Sequence, residues 1–195
     1  FGLELAREDG AVVAYLTNGP ERVRATKVQL NGNRLSIQAP GYQNRIDAEF
    51  RDARFEGTVQ LLRPRGVIKS VRFVGMPGQA WRFFPKPGVA PADFSGRWAL
   101  TFHGSDGSER AAIAELQQEG HEIWGTILRA SGDDRYIAGE VRGDTLFLSR
   151  FDGGSAYLYL GRLGMDGTLS GDFHTGGGYH ETWSGRRNAE ARLED

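Results

Sequence analysis

With 195 residues, 39% of them hydrophobic and 25% charged, the chain can build one large domain or two small ones around a sizeable core. It contains no cysteine, which excludes a disulfide framework, a thiol nucleophile and a Cys-based metal site within it, and no run approaches the roughly 20 apolar residues of a membrane-spanning helix. The net charge of −1 hides an imbalance, with 14 Lys+Arg against 8 Asp+Glu in residues 1–92 and 10 against 17 in residues 93–195. The basic residues alternate with apolar ones instead of clustering among aromatics, so a nucleic-acid partner is excluded and two oppositely charged lobes, docked on each other or on a partner, are expected.

The 28 glycines are spread without a strict repeat, which suits many short strands joined by tight turns. The chain opens FGLELARE, without Met and already alternating, the start expected of a processed or truncated chain. In chain order, VVAYLT, VRATKVQL, RLSIQA, RIDAEF, FEGTVQLL, VIKSVRFV and QAWRFF follow with a period of two, separated by the turn signals NGPE, LNGN, PGYQ, RPRG and MPGQ. PKPGVAPADFSG (residues 85–96) is rich in proline, coincides with the charge reversal and marks the boundary between modules expected at 1–88 and 89–195.

Beyond it, RWALTF places Trp98, Leu100 and Phe102 on one face. Residues Glu109–Gly120 are read as a strand, although their apolar spacing fits a helix about as well. EIWGTIL, RYIAGEV, TLFLSRF, SAYLYLGRL, GTLSGDF and HETWSGR complete about eight strands with turn signals every 8–12 residues or so. An antiparallel meander of eight can close and so remove its own edges. The expected fold class is all-β, with two antiparallel β-meander modules, the second an eight-stranded barrel of calycin or streptavidin type. A loose internal similarity, between the segments starting at Arg34 and at Thr145, reflects either duplication or shared meander grammar.

The stretch GDDRYIAGEVRGDTLFLSRFDGG (residues 132–154) carries Asp133, Asp134, Asp144 and Asp152 beside glycines. That pairing is turn chemistry, and the spacing of a calcium loop is missing. A carboxylate pair at one barrel end remains an alternative reading. His174 and His180 flank TGGGY, with Glu181 beside them, a set adequate for zinc or proton transfer. Polar residues at a hairpin mouth are the plainer reading, so no metal site is assigned. No G-x-S-x-G is present, and TGGG has neither the lysine nor the helix of a phosphate loop. Trp98, Trp124, Trp183, Phe147, Phe151, Tyr157 and Tyr159 either fill a barrel core or line a cup for an apolar ligand.

FSGRW, the Gly-Asp-x-Arg-Tyr run in GDDRYIAGEV, GDTLFLSRFDG, an aromatic strand, DGTLSGDF and HETWSGRRNAEARLED follow one another in that order. Together they resemble the β-rich region that precedes the thioredoxin-like domain of bacterial periplasmic TlpA-like thiol-disulfide oxidoreductases. YLTNGPERV and APGYQNRIDAEF resemble the earlier part of the same region, so the resemblance covers nearly the whole chain and is most specific over Gly132–Gly153. It implies a periplasmic or envelope-anchored bacterial protein with a redox Cys-x-x-Cys in a thioredoxin fold downstream of Asp195. The implied partner is that C-terminal thioredoxin-like domain or another redox protein. No catalytic residue carries over, because the motif bearing the redox cysteines has no match here. Asp134 stands where a Tyr is usual, and Ser155 where a His is usual.

The expected function is therefore a non-catalytic β region, without cofactor, that docks or positions a redox domain or binds a ligand. Arg135, Tyr136, Asp152, His174, His180 and Trp183 are the candidate ligand contacts. One alternative is a stand-alone calycin-like carrier of a small apolar ligand, suggested by the G-x-W at Gly96–Trp98. The other is a hydrolase using Asp133, Asp152, His174 or His180.

Overall fold

The computed structural model describes residues 1–62, 64–66 and 68–193. Arg63, in the expected RPRG turn, Val67, at the head of VIKSVRFV, and the last two residues of the second module lie outside that range. Among the described residues the chain is all-β, with sixteen strands, one 3-10 turn at Pro64–Gly66, and no helix long and apolar enough to cross a membrane. It divides into two compact units, Phe1–Ala80 with Phe151–Ala156, and Trp81–Arg150 with Tyr157–Asp195.

In the first unit, β1 (Gly2–Glu8), β2 (Ala11–Asn18) and β3 (Glu21–Arg24) form a three-stranded antiparallel sheet. The strands β4 (Lys27–Asn31), β5 (Arg34–Gln38), β6 (Arg45–Arg51), β7 (Arg54–Leu62) and β8 (Ile68–Gly75) form a five-stranded one. VRATKVQL, expected as one strand, is two. The Ala25 amide bonds Ala14 of the first sheet, and the next amide, Thr26, bonds Gln38 of the second. The chain thus changes sheets at this step, and a period of two cannot reveal which sheet a strand joins. Ala14, Leu16 and Ala25 share one core with Leu35, Ile37, Ile46, Val59, Leu61, Phe73 and Phe151.

Phe151 belongs to that core because residues 151–156 are built into the first unit. The Asn18 amide group donates to the Phe151 carbonyl (3.0 Å) and accepts from its N–H (3.2 Å). Asn44 donates to the carbonyls of Gly153 (2.7 Å) and Gly154 (3.0 Å) while accepting from the Leu62 N–H (2.7 Å). Both asparagines are buried, so each bond replaces water that the backbone would otherwise lack. At Gly153, φ is +99°, and a Cβ would lie 2.4 Å from that of Ala39.

The second unit is a closed antiparallel barrel of β9 (Gly96–His103), β10 (Glu109–Glu119), β11 (Glu122–Arg129), β12 (Gly132–Arg142), β13 (Thr145–Arg150), β14 (Tyr157–Leu163), β15 (Thr168–Thr175) and β16 (His180–Arg187). Closure comes from β16 pairing with β9, Thr182 opposite His103 and Arg187 opposite Trp98. Glu109–Gly120, ambiguous between helix and strand in its spacing, supplies β10, whose Ala112, Ala114 and Leu116 enter the barrel core.

QAWRFF, expected as a strand, forms none. Pro85 and Pro87 remove ladder donors just beyond it, and its aromatic rings cover the barrel instead. Phe83 and Phe84 pack on Phe147 at 5.8 and 5.0 Å, and the Phe83 N–H donates to Glu140. Arg82 donates to Ser149, and its burial lowers its pKa to about 10 against the attraction of Glu140. These contacts assign the segment to the barrel, so the division falls at Ala80/Trp81 and not within residues 85–96.

The two loosely similar segments contain the same local device. β5–β6–β7 and β13–β14–β15 are each a three-strand meander with a glycine in the third strand. A Cβ on Gly57 would lie 1.9 Å from the Asp47 carbonyl oxygen, and one on Gly171 would lie 1.8 Å from that of Leu160. Because the obstacle is backbone, no side-chain rotation relieves it. Gly171→Ala should cost about 1–3 kcal/mol in urea unfolding, the range for overpacking a close contact; an unchanged midpoint would contradict this close approach.

Candidate functional site

An up-and-down barrel places its alternate hairpins at one end, and there the sequence concentrates charge and aromatic rings. Arg129 ends β11 and Asp134 lies near the start of β12, across a tight turn. Strict alternation would point Asp134 away from the face that Ile137 occupies. A bulge between the pairs Gly125/Ile137 and Ile127/Asp134 sets Arg135 and Tyr136 against the single residue Thr126, and Tyr136 takes φ 61°. The extra residue lets both Asp134 and Ile137 face inward, where both are buried, and leaves Arg135 exposed.

Asp134 is the hub of a buried polar cluster. Its Oδ2 accepts from Arg129 Nε at 3.1 Å and from the Tyr159 hydroxyl in a short bond, while its Oδ1 lies 3.8 Å from Arg150 Nη1. Arg129 also donates to the Tyr159 hydroxyl (2.8 Å), and its guanidinium stacks 3.9 Å from the Phe102 ring centre and 4.9 Å from that of Phe173. A planar guanidinium suits this place because it satisfies oxygens in its plane and rings on its faces. Burial raises the Tyr159 hydroxyl pKa well above its ordinary value; Arg129 opposes the rise and Asp134 adds to it. The rings of Phe102, Tyr159, Phe173 and Trp183 meet one another at centroid distances of 4.6–6.4 Å. These rings pack together in the barrel core with Trp98, whereas Trp124 and Phe147, also expected in a core or a cup, lie outside that core and Phe151 belongs to the first unit's.

The outer face of the same end carries a second group. Thr175 N–H bonds the Tyr179 carbonyl, so the next pair, His174 opposite His180, is a non-hydrogen-bonded pair with close side chains. The imidazoles stack at 4.6 Å with 25° between their planes, and His180 Nε2 lies 2.8 Å from Asp172 Oδ1. Glu181, which the sequence reading grouped with the histidines, faces inward instead. It is buried and pairs with Arg110 and the Tyr179 hydroxyl.

Of the six candidate ligand contacts, only His174 and His180 are brought together. Arg135 and Tyr136 form the bulge, with the Arg135 guanidinium 5.6 Å from the Tyr136 ring centre. Trp183 lies in the core, its indole N–H without a partner among the described residues. Asp152 belongs to the first unit and closes its own turn by accepting from the Gly154 N–H (2.9 Å). Asp144 does turn work as well, accepting from Thr145 and from Arg162, whose hydrogen bond holds its carboxyl below the usual range. Asp133, the further acid considered for hydrolysis, is exposed on β12, three strands from β15 in barrel order. Of the four aspartates of the stretch, Asp134 is the buried one. In the first unit, a groove of about 410 Å³ lies beside Gln29, Arg34, Ser36, Asp47 and Glu56, where Ser36 donates to Asp47.

No protein-family model and no curated protein matches the chain. Among solved structures, a protein of unknown function from the DUF3598 family of Nostoc punctiforme is similar at 12% identity and a TM-score of 0.35, over 94% of this chain and 85% of that one. At that distance the likeness does not bear on function.

Two outcomes follow from the buried cluster. Asp134→Ala removes the carboxylate acceptor of the half-buried Arg129 and the buried Tyr159 hydroxyl, and should lower stability by about 1–3 kcal/mol in denaturant unfolding. Tyr159 has its folded-state pKa raised, so its contribution is complete below the unfolded value near 10 and is lost as pH rises above it. Thermal unfolding of the wild type should fall steeply above about pH 10, and Tyr159→Phe should flatten that decline; an equal slope in both proteins would contradict the assignment.

Proposed function

We propose that the chain is a non-catalytic β region of a periplasmic or envelope-anchored thioredoxin-like disulfide oxidoreductase, working through its outer surfaces to dock or position a redox domain. The observation that supports a surface role over an internal ligand cup is the filled barrel. Phe102, Tyr159, Phe173 and Trp183 turn their rings toward one another, and Arg129 with Asp134 occupies the end above them. A carrier of a small ligand turns such groups toward a cavity. The redox setting rests on the motif order from FSGRW to HETWSGRRNAEARLED.

Sequencing the reading frame beyond Asp195 tests the redox setting. The expected result is an in-frame thioredoxin-like domain carrying Cys-x-x-Cys; a frame that stops there, or continues without such a domain, overturns it. Native mass spectrometry of gently purified protein tests the filled barrel. The expected spectrum shows the bare chain, and a stoichiometric hydrophobic adduct would favour a carrier instead.

A further inference from the structure

The outer face of β15 and β16 carries a set of side chains that the docking role does not use. We infer that Asp172, His174 and His180 form a binding site for a borderline divalent transition-metal cation, zinc above all, with one coordination position open to solvent. One ligand atom from each of the three residues falls within a group no wider than 4.8 Å. The backbone fixes this arrangement. His174 and His180 are directly opposed across the hairpin, and Asp172 precedes His174 by two residues on the same face of β15.

The donor set selects the ion. Two imidazoles and one carboxylate suit zinc and its neighbours, whereas calcium and magnesium require six or more oxygen ligands or several retained waters. Zinc–nitrogen and zinc–oxygen distances of about 2.0–2.2 Å put tetrahedral ligand atoms about 3.3–3.5 Å apart. The imidazoles stack instead of converging, so the site closes by rotation of a ring out of the stack as well as by contraction, and His180 and Asp172, both about half exposed, have room for it. The ion replaces the 2.8 Å contact between His180 Nε2 and Asp172 Oδ1; His180 binds as the neutral ring, with its one proton on the nitrogen that does not hold the metal. Glu181 is committed to Arg110 and Tyr179 on the other side of the strand and adds no ligand. Three protein ligands leave the fourth position for water, as in zinc sites that are open rather than closed.

The inference is independent of the docking role and is tested on the full chain, free of any affinity tag. Titration calorimetry with zinc, and visible absorption with cobalt(II) as the spectroscopic probe, should each show one equivalent bound. His180→Ala and His174→Ala should each weaken binding by at least about tenfold, the lower end of the loss seen when even a supporting group is removed. Asp172→Asn should weaken it while leaving one equivalent measurable at higher metal concentration. His121→Ala, which removes a histidine from the turn between β10 and β11 at the other end of the barrel, should leave the affinity unchanged. Circular dichroism of each variant checks that the barrel is folded, as substitutions at half-exposed positions on its outer face allow. No saturable zinc binding by the wild type, or equal binding by the wild type and the folded His180→Ala variant, would overturn the site.

Discussion

The carboxylate of Asp134 is the constraint around which the barrel end is arranged. It faces a core of phenylalanine, tyrosine, tryptophan and aliphatic side chains, where an isolated charge would be very costly. Arg129 and Tyr159 supply hydrogen bonds and Arg150 supplies nearby positive charge. The half-buried Arg129 rests its faces on Phe102 and Phe173. Each group makes the next one tolerable. Such a cluster adds little net stability over an apolar core of the same volume, but it is unforgiving of partial loss. Its value here is in fixing which residues face inward, since the bulge at Arg135–Tyr136 and the position of Asp134 require each other.

Two consequences run outward from that end. The rings of the barrel core are in mutual contact, and the His174–His180 pair and Asp172 lie on the outer face of paired strands. A site on paired strands holds its geometry better than one on loops. In the first unit the corresponding constraint is the pair of buried asparagines. Asn18 and Asn44 bond the backbone of residues 151–154 at both ends, and Phe151 closes the core between the sheets. FDGG is therefore held by side-chain amides and not by strand pairing.

Much of this was legible in the sequence, because period-2 alternation follows directly from strands with one buried face. RWALTF gave β9 with Trp98, Leu100 and Phe102 facing inward, and TLFLSRF gave β13, although its inward residues are Leu146 and Leu148 and not Phe147, which lies under Phe83 and Phe84. The failures share a cause: alternation is local, and the deciding contacts are not. Ala25 changes sheets within a continuous alternating run. The aromatics of QAWRFF cover Phe147 instead of pairing. At Asp134 a one-residue bulge reverses the pattern, so an acid that looks like part of a turn becomes buried. For the histidines, the nearest acid in sequence, Glu181, was the wrong partner, because adjacent residues in a strand face opposite ways. Asp172 was findable by the opposite rule, lying two residues before His174 on the same face. FDGG reads as a barrel turn, and nothing local indicates that its phenylalanine completes another unit's core.

The measurement that bears most directly on this account is a double-mutant cycle in urea between Arg129→Met and Asp134→Asn. If the two side chains stabilise each other inside the barrel, the effects should be strongly non-additive, with a coupling of about 1.5–3 kcal/mol. Additive effects, with a coupling near zero, would mean that the carboxylate is not the organising group and would contradict the account.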